Sequence, residues 1–155
     1  LVGSLSLDVL SRILALYITA AAPDFTPVLD ATQLLAHQQL VRQVAAAPHV
    51  TDYAVRLVLA THPTTTDFTS DYATPMVNQY VRLGASPRAA QSLILAAKCR
   101  ALAEGRPAAS PDDIRAVAPA ALRHRIIINF EAEAEGLTHD RVVDNLIETL
   151  PVTTD

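Results

Sequence analysis

One cysteine, four glycines and no tryptophan in 155 residues remove several kinds of chemistry at the outset. Cys99 has no partner in the chain, which excludes an internal disulfide and fits a reducing compartment. So few glycines could hardly build a phosphate cradle, and no G-x-x-x-x-G-K-[ST] run occurs. With four tyrosines and three phenylalanines, the chain is also poor in the bulky residues that fill a β-sandwich. A net charge of -4 argues against a general affinity for nucleic acid. Long hydrophobic runs are missing too. Ile13 to Pro23, the longest uncharged run of note, is about half of the ~20 residues that a membrane-spanning helix needs. No basic segment precedes it, so no signal peptide is expected, and the chain is expected in the cytoplasm.

Metal and catalytic signatures are equally scarce. His37, His49, His62, His124 and His139 show no H-x-x-x-H spacing, and there is no C-x-x-C, so no metal site is expected. Cys99 stands mid-helix between Lys98 and Arg100, where a buried structural thiol is the simpler expectation than a reactive one. Glu131, Glu133 and Glu135 alternate with alanine and read as a solvated face rather than a general-acid pair. No catalytic residue is expected in the chain itself. A scattered active site stands as a third reading, since triads assemble from distant positions.

What is present is helical periodicity. Half of the residues are apolar, with alanine prominent among them, which suits closely approaching helices. Ser6 caps a helix expected over Ser6 to Ala20, and the two prolines of Ala21 to Pro27 mark a linker. Asp30 caps Ala31 to Val44, with Leu34, Leu35, His37, Leu40, Val41 and Val44 on one face. Pro48 opens a helix through Tyr53 and Leu57 that ends near Thr61. Residues 62–84 lose the rhythm and read as one long irregular loop. Ser86-Pro87-Arg88 then restarts order, serine as N-cap and proline at the first helical position. Ala90, Leu93, Ile94, Ala97 and Ala101 form its buried stripe, and Gly105 ends it. Ser110-Pro111-Asp112-Asp113 repeats the start signal, and this helix is expected to stop before Pro119. Residues 125–130 read as a short extended piece, and Thr138 caps a last helix that Pro151 stops. The fold class is all-α: a small helical bundle, with 1–25 as an N-terminal helix and linker, 26–151 as the domain and 152–155 as a tail.

The segment Tyr80-Val-Arg-Leu-Gly-Ala-Ser-Pro-Arg-Ala89 closely resembles the stretch of MoxR-family AAA+ ATPases that carries the sensor 2 arginine, here Arg88. The likeness continues through SLILAAKCRALAEGR (92–106), the Ser-Pro-Asp-Asp helix (110–117), APAALRHRI (118–126) and 136–146. Upstream, 30–44 and 53–62 resemble that lid's earlier helices, so the likeness covers about Thr26 to Pro151. The Walker motifs, sensor 1 and arginine finger of those ATPases are absent, and 1–23 match only loosely the end of their core domain or are foreign to it. With Leu1 first and Met76 the only methionine, the chain is expected to begin inside a longer reading frame or after a start that precedes Leu1.

The resemblance implies an AAA+ lid bundle in a chaperone-like ATPase that binds ATP with Mg2+ and couples hydrolysis to client remodelling. It also implies a missing N-terminal core domain, a ring, expected as a hexamer, and von Willebrand factor A-domain partners. The lid by itself would be inactive. Arg88 would sense nucleotide, with Ser86 and Pro87 building the helix start beneath it; an arginine there could instead pair with a local acid. Arg123 and Arg125 stand open between a face toward a neighbouring subunit and a local role, capping carbonyls or pairing with Asp112, Asp113 or the acids of 131–135. The alternative reading is a free-standing helical interaction module whose 62–84 segment is the recognition loop.

Overall fold

The computed structural model describes residues 5–18, 26–66 and 68–153. Two compact units divide the chain, Leu1–Leu35 and Ala36–Asp155. The first holds α1 (Leu7–Ile18) and the start of α2 (Ala31–Gln43). Ser6 caps α1, its Oγ accepting from Val9 N–H at 3.4 Å. Asp30 and Gln33 form a reciprocal capping box on α2, with distances of 2.7 and 3.0 Å. Residues 19–25, with the end of the expected first helix and most of the expected linker, lie outside the described residues. No residue of α1 or α2 is buried; of the apolar face expected on α2, Val41 is half-buried and Val44, just past the helix end, joins the core.

The second unit is built on α3 (Pro48–Ala60), α5 (Arg88–Ala103), α6 (Pro111–Leu122) and α8 (His139–Thr149). Its core is formed by Tyr53 and Leu57 of α3, Leu93 of α5, Ile114 and Leu122 of α6, and Val142 and Leu146 of α8. Along α5 the buried positions Ala89, Leu93, Ala97 and Ala101 recur every fourth residue. Three are alanines, which lets α6 approach α5 closely, and these two helices share the most extensive contact in the fold. Cys99, two residues beyond Ala97, turns about 200° around the helix axis and is exposed, not buried as its mid-helix position suggested.

Two miniature ladders tie the helices together. β1 (Ala45–Ala46) runs parallel to β3 (Ala108–Ala109), and β2 (Val81–Leu83) runs antiparallel to β4 (Ile127–Ile128). In the second pair, β4 lies inside the extended piece expected over 125–130. It also puts structure into 62–84, where α4 (Pro75–Tyr80) precedes β2. Thr74 caps α4 by accepting from Val77 N–H at 3.2 Å, with Pro75 at the first position. The irregular loop therefore shrinks to about 62–73.

α6 does not stop before Pro119 but runs through it to Leu122. The proline lacks the N–H that would close onto Arg115, yet Ala118, Ala121 and Leu122 around it are buried, and that packing carries the helix across the gap. Five-residue α7 (Phe130–Ala134) follows, started by Asn129, whose side chain accepts from Ala132 N–H at 3.0 Å. Thr138 caps α8 as expected, with Arg141 N–H at 3.2 Å.

Buried polar groups close the unit. Tyr53 is fully buried, and its hydroxyl accepts from Arg115 Nε at 3.2 Å. Arg56, 3 % exposed, pairs with Asp52 at 2.7 Å and donates to the carbonyls of Pro151 and Val152 at 2.8 and 2.7 Å. This arginine holds the segment that follows α8. Arg56→Met should cost about 2 kcal/mol, since two carbonyls lose a charged donor. Urea unfolding measures the loss, and amide exchange should rise first around Val152.

Candidate functional site

The segment that carries Arg88 begins where β2 ends. Gly84 lies against the C-terminal end of α3 so closely that a Cβ there would come within 2.7 Å of both the Thr61 carbonyl oxygen and the His62 ring. Gly84→Ala is therefore expected to destabilise by about 2 kcal/mol, because the obstruction includes backbone. Chemical denaturation of the variant checks this. Beyond it, Ala85 is buried and bonded at both ends. Its N–H donates to Thr61 Oγ1 at 2.9 Å, and its carbonyl lies 2.9 Å from His62 Nε2.

Ser86 and Pro87 then turn the chain into α5. Here the local geometry departs from expectation. Pro87 already has helical dihedrals, φ -54° and ψ -25°, and no side chain caps the helix. Ser86 contributes its carbonyl, which accepts from Ala89 N–H at 2.8 Å, while the Pro87 carbonyl accepts from Ala90 N–H at 3.1 Å. The helix start is where the sequence put it, but the serine hydroxyl is not its cap. The amides of Ala89 and Ala90 are engaged, so the helix end offers an anion less than an open first turn would.

Arg88 is the first residue of α5, and it is exposed. Its guanidinium makes no hydrogen bond or ion pair with any other described residue. The local acid that could have claimed it does not. By contrast, Arg56, Arg100, Arg106, Arg115 and Arg123 all pair with carboxylates of the fold. Beside Arg88, Val55, Val58, Leu59 and His62 of the α3 end face Ala85, Pro87 and Ala90 across an open apolar groove of about 270 Å³. The groove continues along the same two helices past Ile94 and Leu95.

Arg123 and Arg125 are taken up locally. Arg123 Nε donates to the Pro119 carbonyl at 2.9 Å and lies 3.1 Å from Asp140. Arg125 bonds to the Ala121 carbonyl and reaches Ser92 Oγ at 3.2 Å. Between them His124 is exposed. Of the alternating acids, Glu131 accepts from Gln79 at 2.7 Å and Glu135 from the Tyr80 hydroxyl at 2.6 Å, which ties α7 to α4. Among the described residues, no group of three or more His, Cys, Asp or Glu could hold a metal ion. Nor is any described helix long and apolar enough to cross a membrane.

An ion cluster that the sequence did not disclose braces the far end of α5. Asp113 is 2 % exposed and takes both terminal nitrogens of Arg106, at 2.8 and 2.6 Å, with Arg100 at 3.3 Å. It also accepts from Ser110 N–H at 2.8 Å, completing the capping box of α6. The Arg106 bonds hold its carboxyl well below the usual carboxylate range; burial pushes the other way, and the bonds to Ser110 help to lower it. In the sequence Asp113 reads as a helix-start acid or as a partner for Arg123 or Arg125; it pairs with neither, and Arg123 takes Asp140 instead. The main partner of Asp113, Arg106, lies in the connection between α5 and α6, outside either helix, a relation that no helical period encodes.

Residues 74–146 match the family model of the AAA lid domain. Chaperone MoxR1 of Mycobacterium tuberculosis is 31% identical over 128 residues, which are 83% of this chain and 33% of that protein. Protein MoxR of Paracoccus denitrificans is 39% identical over 74 residues, 46% of this chain and 22% of its own length. A crystal structure of a protein of Cytophaga hutchinsonii, proposed there to be an ATPase, superposes with a TM-score of 0.76 at 26% identity, covering 99% of this chain and 45% of that one. The chain thus spans about a third of the length of MoxR1, and less of MoxR.

Proposed function

This chain is the C-terminal lid region of a MoxR-family AAA+ ATPase, and from there we propose that it is the moving lid over a nucleotide held by an ATPase core, with Arg88 as the group that senses the γ-phosphate. One observation carries the assignment: the Arg88 guanidinium, at the start of α5, has no hydrogen bond or ion pair with another described residue. A guanidinium stays charged at any physiological pH and presents a planar fork to phosphate oxygens. An arginine already paired within the lid would have to break that pair first; this one does not.

The residues fit a phosphate as a single cationic contact, since the chain has no phosphate-loop motif and the amides of Ala89 and Ala90, next after Arg88 in α5, are engaged. ATP with Mg2+ would therefore be held chiefly by the core, and the lid alone should bind it feebly and hydrolyse nothing. The groove beside Arg88 supports the same orientation, because a face that closes on another domain gains from exposed apolar residues such as Val55, Leu59 and Leu95. When the γ-phosphate is present, Arg88 draws the lid toward it; when it leaves, that attraction goes. The same charge can offset the charge that develops on the transferring phosphoryl group.

In the whole protein this motion would drive client remodelling by a cytoplasmic ring, a hexamer, with a von Willebrand factor A-domain protein as partner. Sedimentation of the protein with an ATPase core fused ahead of Leu1, with and without ATP, tests the ring. A particle of several subunits that forms with nucleotide is expected, and a monomer under both conditions would remove it.

A further inference from the structure

We propose that Thr61 and His62 are positioning residues for Arg88, clamping the backbone of Ala85 so that the arginine and α3 move as one body. The inference rests on the reading of Arg88 as the nucleotide sensor and adds how that residue is aimed.

The hydrogen-bond inventory is complete on both sides of the clamp. Thr61 is fully buried; its single hydroxyl proton goes to the Val58 carbonyl at 2.6 Å, which leaves a lone pair for the Ala85 N–H at 2.9 Å. The Ala85 carbonyl can only accept, so His62 carries its proton on Nε2, 2.9 Å away. Two consecutive residues at the end of α3 thus hold both backbone polar groups of one residue, three positions before Arg88. Gly84 packs beneath them with no room for a Cβ, and Phe68 stands edge-on to the His62 ring, with centroids 5.8 Å apart. Only Ser86 and Pro87 separate the clamp from Arg88, and the proline ring fixes one of their dihedrals. On the other side Ala89 is fully buried. The Arg88 backbone is therefore fixed from both directions while its side chain is free. A pull on the guanidinium then reaches α3 as well as α5, instead of being absorbed by a flexing loop.

The test uses Thr61→Val, which removes the hydroxyl at nearly constant volume, and Thr61→Ser, which keeps it. In the 155-residue chain, Thr61→Val should speed amide exchange at Ala85 about tenfold or more, with Leu93 and Leu146 unchanged and Thr61→Ser close to the parent. With an ATPase core fused ahead of the chain, Thr61→Val should lower ATP turnover about tenfold, and Thr61→Ser should restore it. Combined with Arg88→Ala it should add no further loss, because both act through one group. His62→Phe, which keeps the ring and removes the donor, tests the other half of the clamp by the same measurements if Thr61→Val folds poorly. Unchanged exchange at Ala85, or losses that multiply with Arg88→Ala, would overturn the proposal. If Arg88→Ala by itself leaves turnover unchanged, the nucleotide reading fails and the positioning role with it, while exchange at Ala85 still reports whether the clamp exists.

Discussion

Arg88→Ala should lower ATP turnover about a hundredfold, close to 3 kcal/mol in the barrier, when the lid is fused to an ATPase core. The fold should hardly notice. Arg88 is exposed and its guanidinium has no hydrogen bond or ion pair with another described residue; the Ser92 hydroxyl bonds only to the Arg88 backbone carbonyl, which the variant keeps, so the removal orphans nothing. That separation makes the variant informative: thermal unfolding of the same preparation should match the parent while phosphate release collapses. Arg88→Lys should fall between the two, since it keeps the charge and loses the fork. Equal turnover in all three would leave the lid fold intact and strip Arg88 of its role.

The largest loss of stability is expected at Asp113. Asp113→Ala removes the acceptor for Arg106 and Arg100 and half of the α6 capping box, while Ser110 N–H loses its buried partner. About 3 kcal/mol is expected, below the loss for two fully buried charges because Arg106 and Arg100 can turn to water. That is a large share of the roughly 5–15 kcal/mol that holds a domain of this size. The pH dependence follows from the direction of the shift. The folded-state pKa of Asp113 is depressed, so its contribution is complete above the unfolded value, about 4, and is lost as pH falls from there toward the folded one. Urea titrations should therefore show parent and Asp113→Asn far apart at pH 7 and converging below pH ~4. A gap independent of pH would mean that shape, not charge, holds this corner.

The helix starts were legible because proline and a small polar cap act locally. Ser110 with Pro111 and Thr138 behave as their residue types require. Thr74 with Pro75 carries the same signal and was readable too, but the helix it opens is too short to show a period. Pro119 misled in the opposite sense: a local rule gave way to three buried neighbours. The exposure of Cys99 was implicit in the positions that sequence and structure share, Leu93, Ala97 and Ala101, which leave position 99 on the far side; Ala89 joins them in place of the expected Ala90. What no local rule carries is contact across the chain. Ala85 on Thr61 and Asp113 on Arg106 depend on where separate elements come to rest. Arg88 was found by resemblance, and chemistry alone left it open to a local acid; the absence of such a partner is what the fold added.

The decisive measurement is phosphate release from ATP and Mg2+ by the purified chain alone, beside the same chain with an ATPase core fused ahead of Leu1. A lid predicts no turnover above buffer for the first and clear turnover for the second. Magnesium-dependent turnover that follows the isolated chain through purification would contradict it, and would mean that these residues assemble an active site of their own.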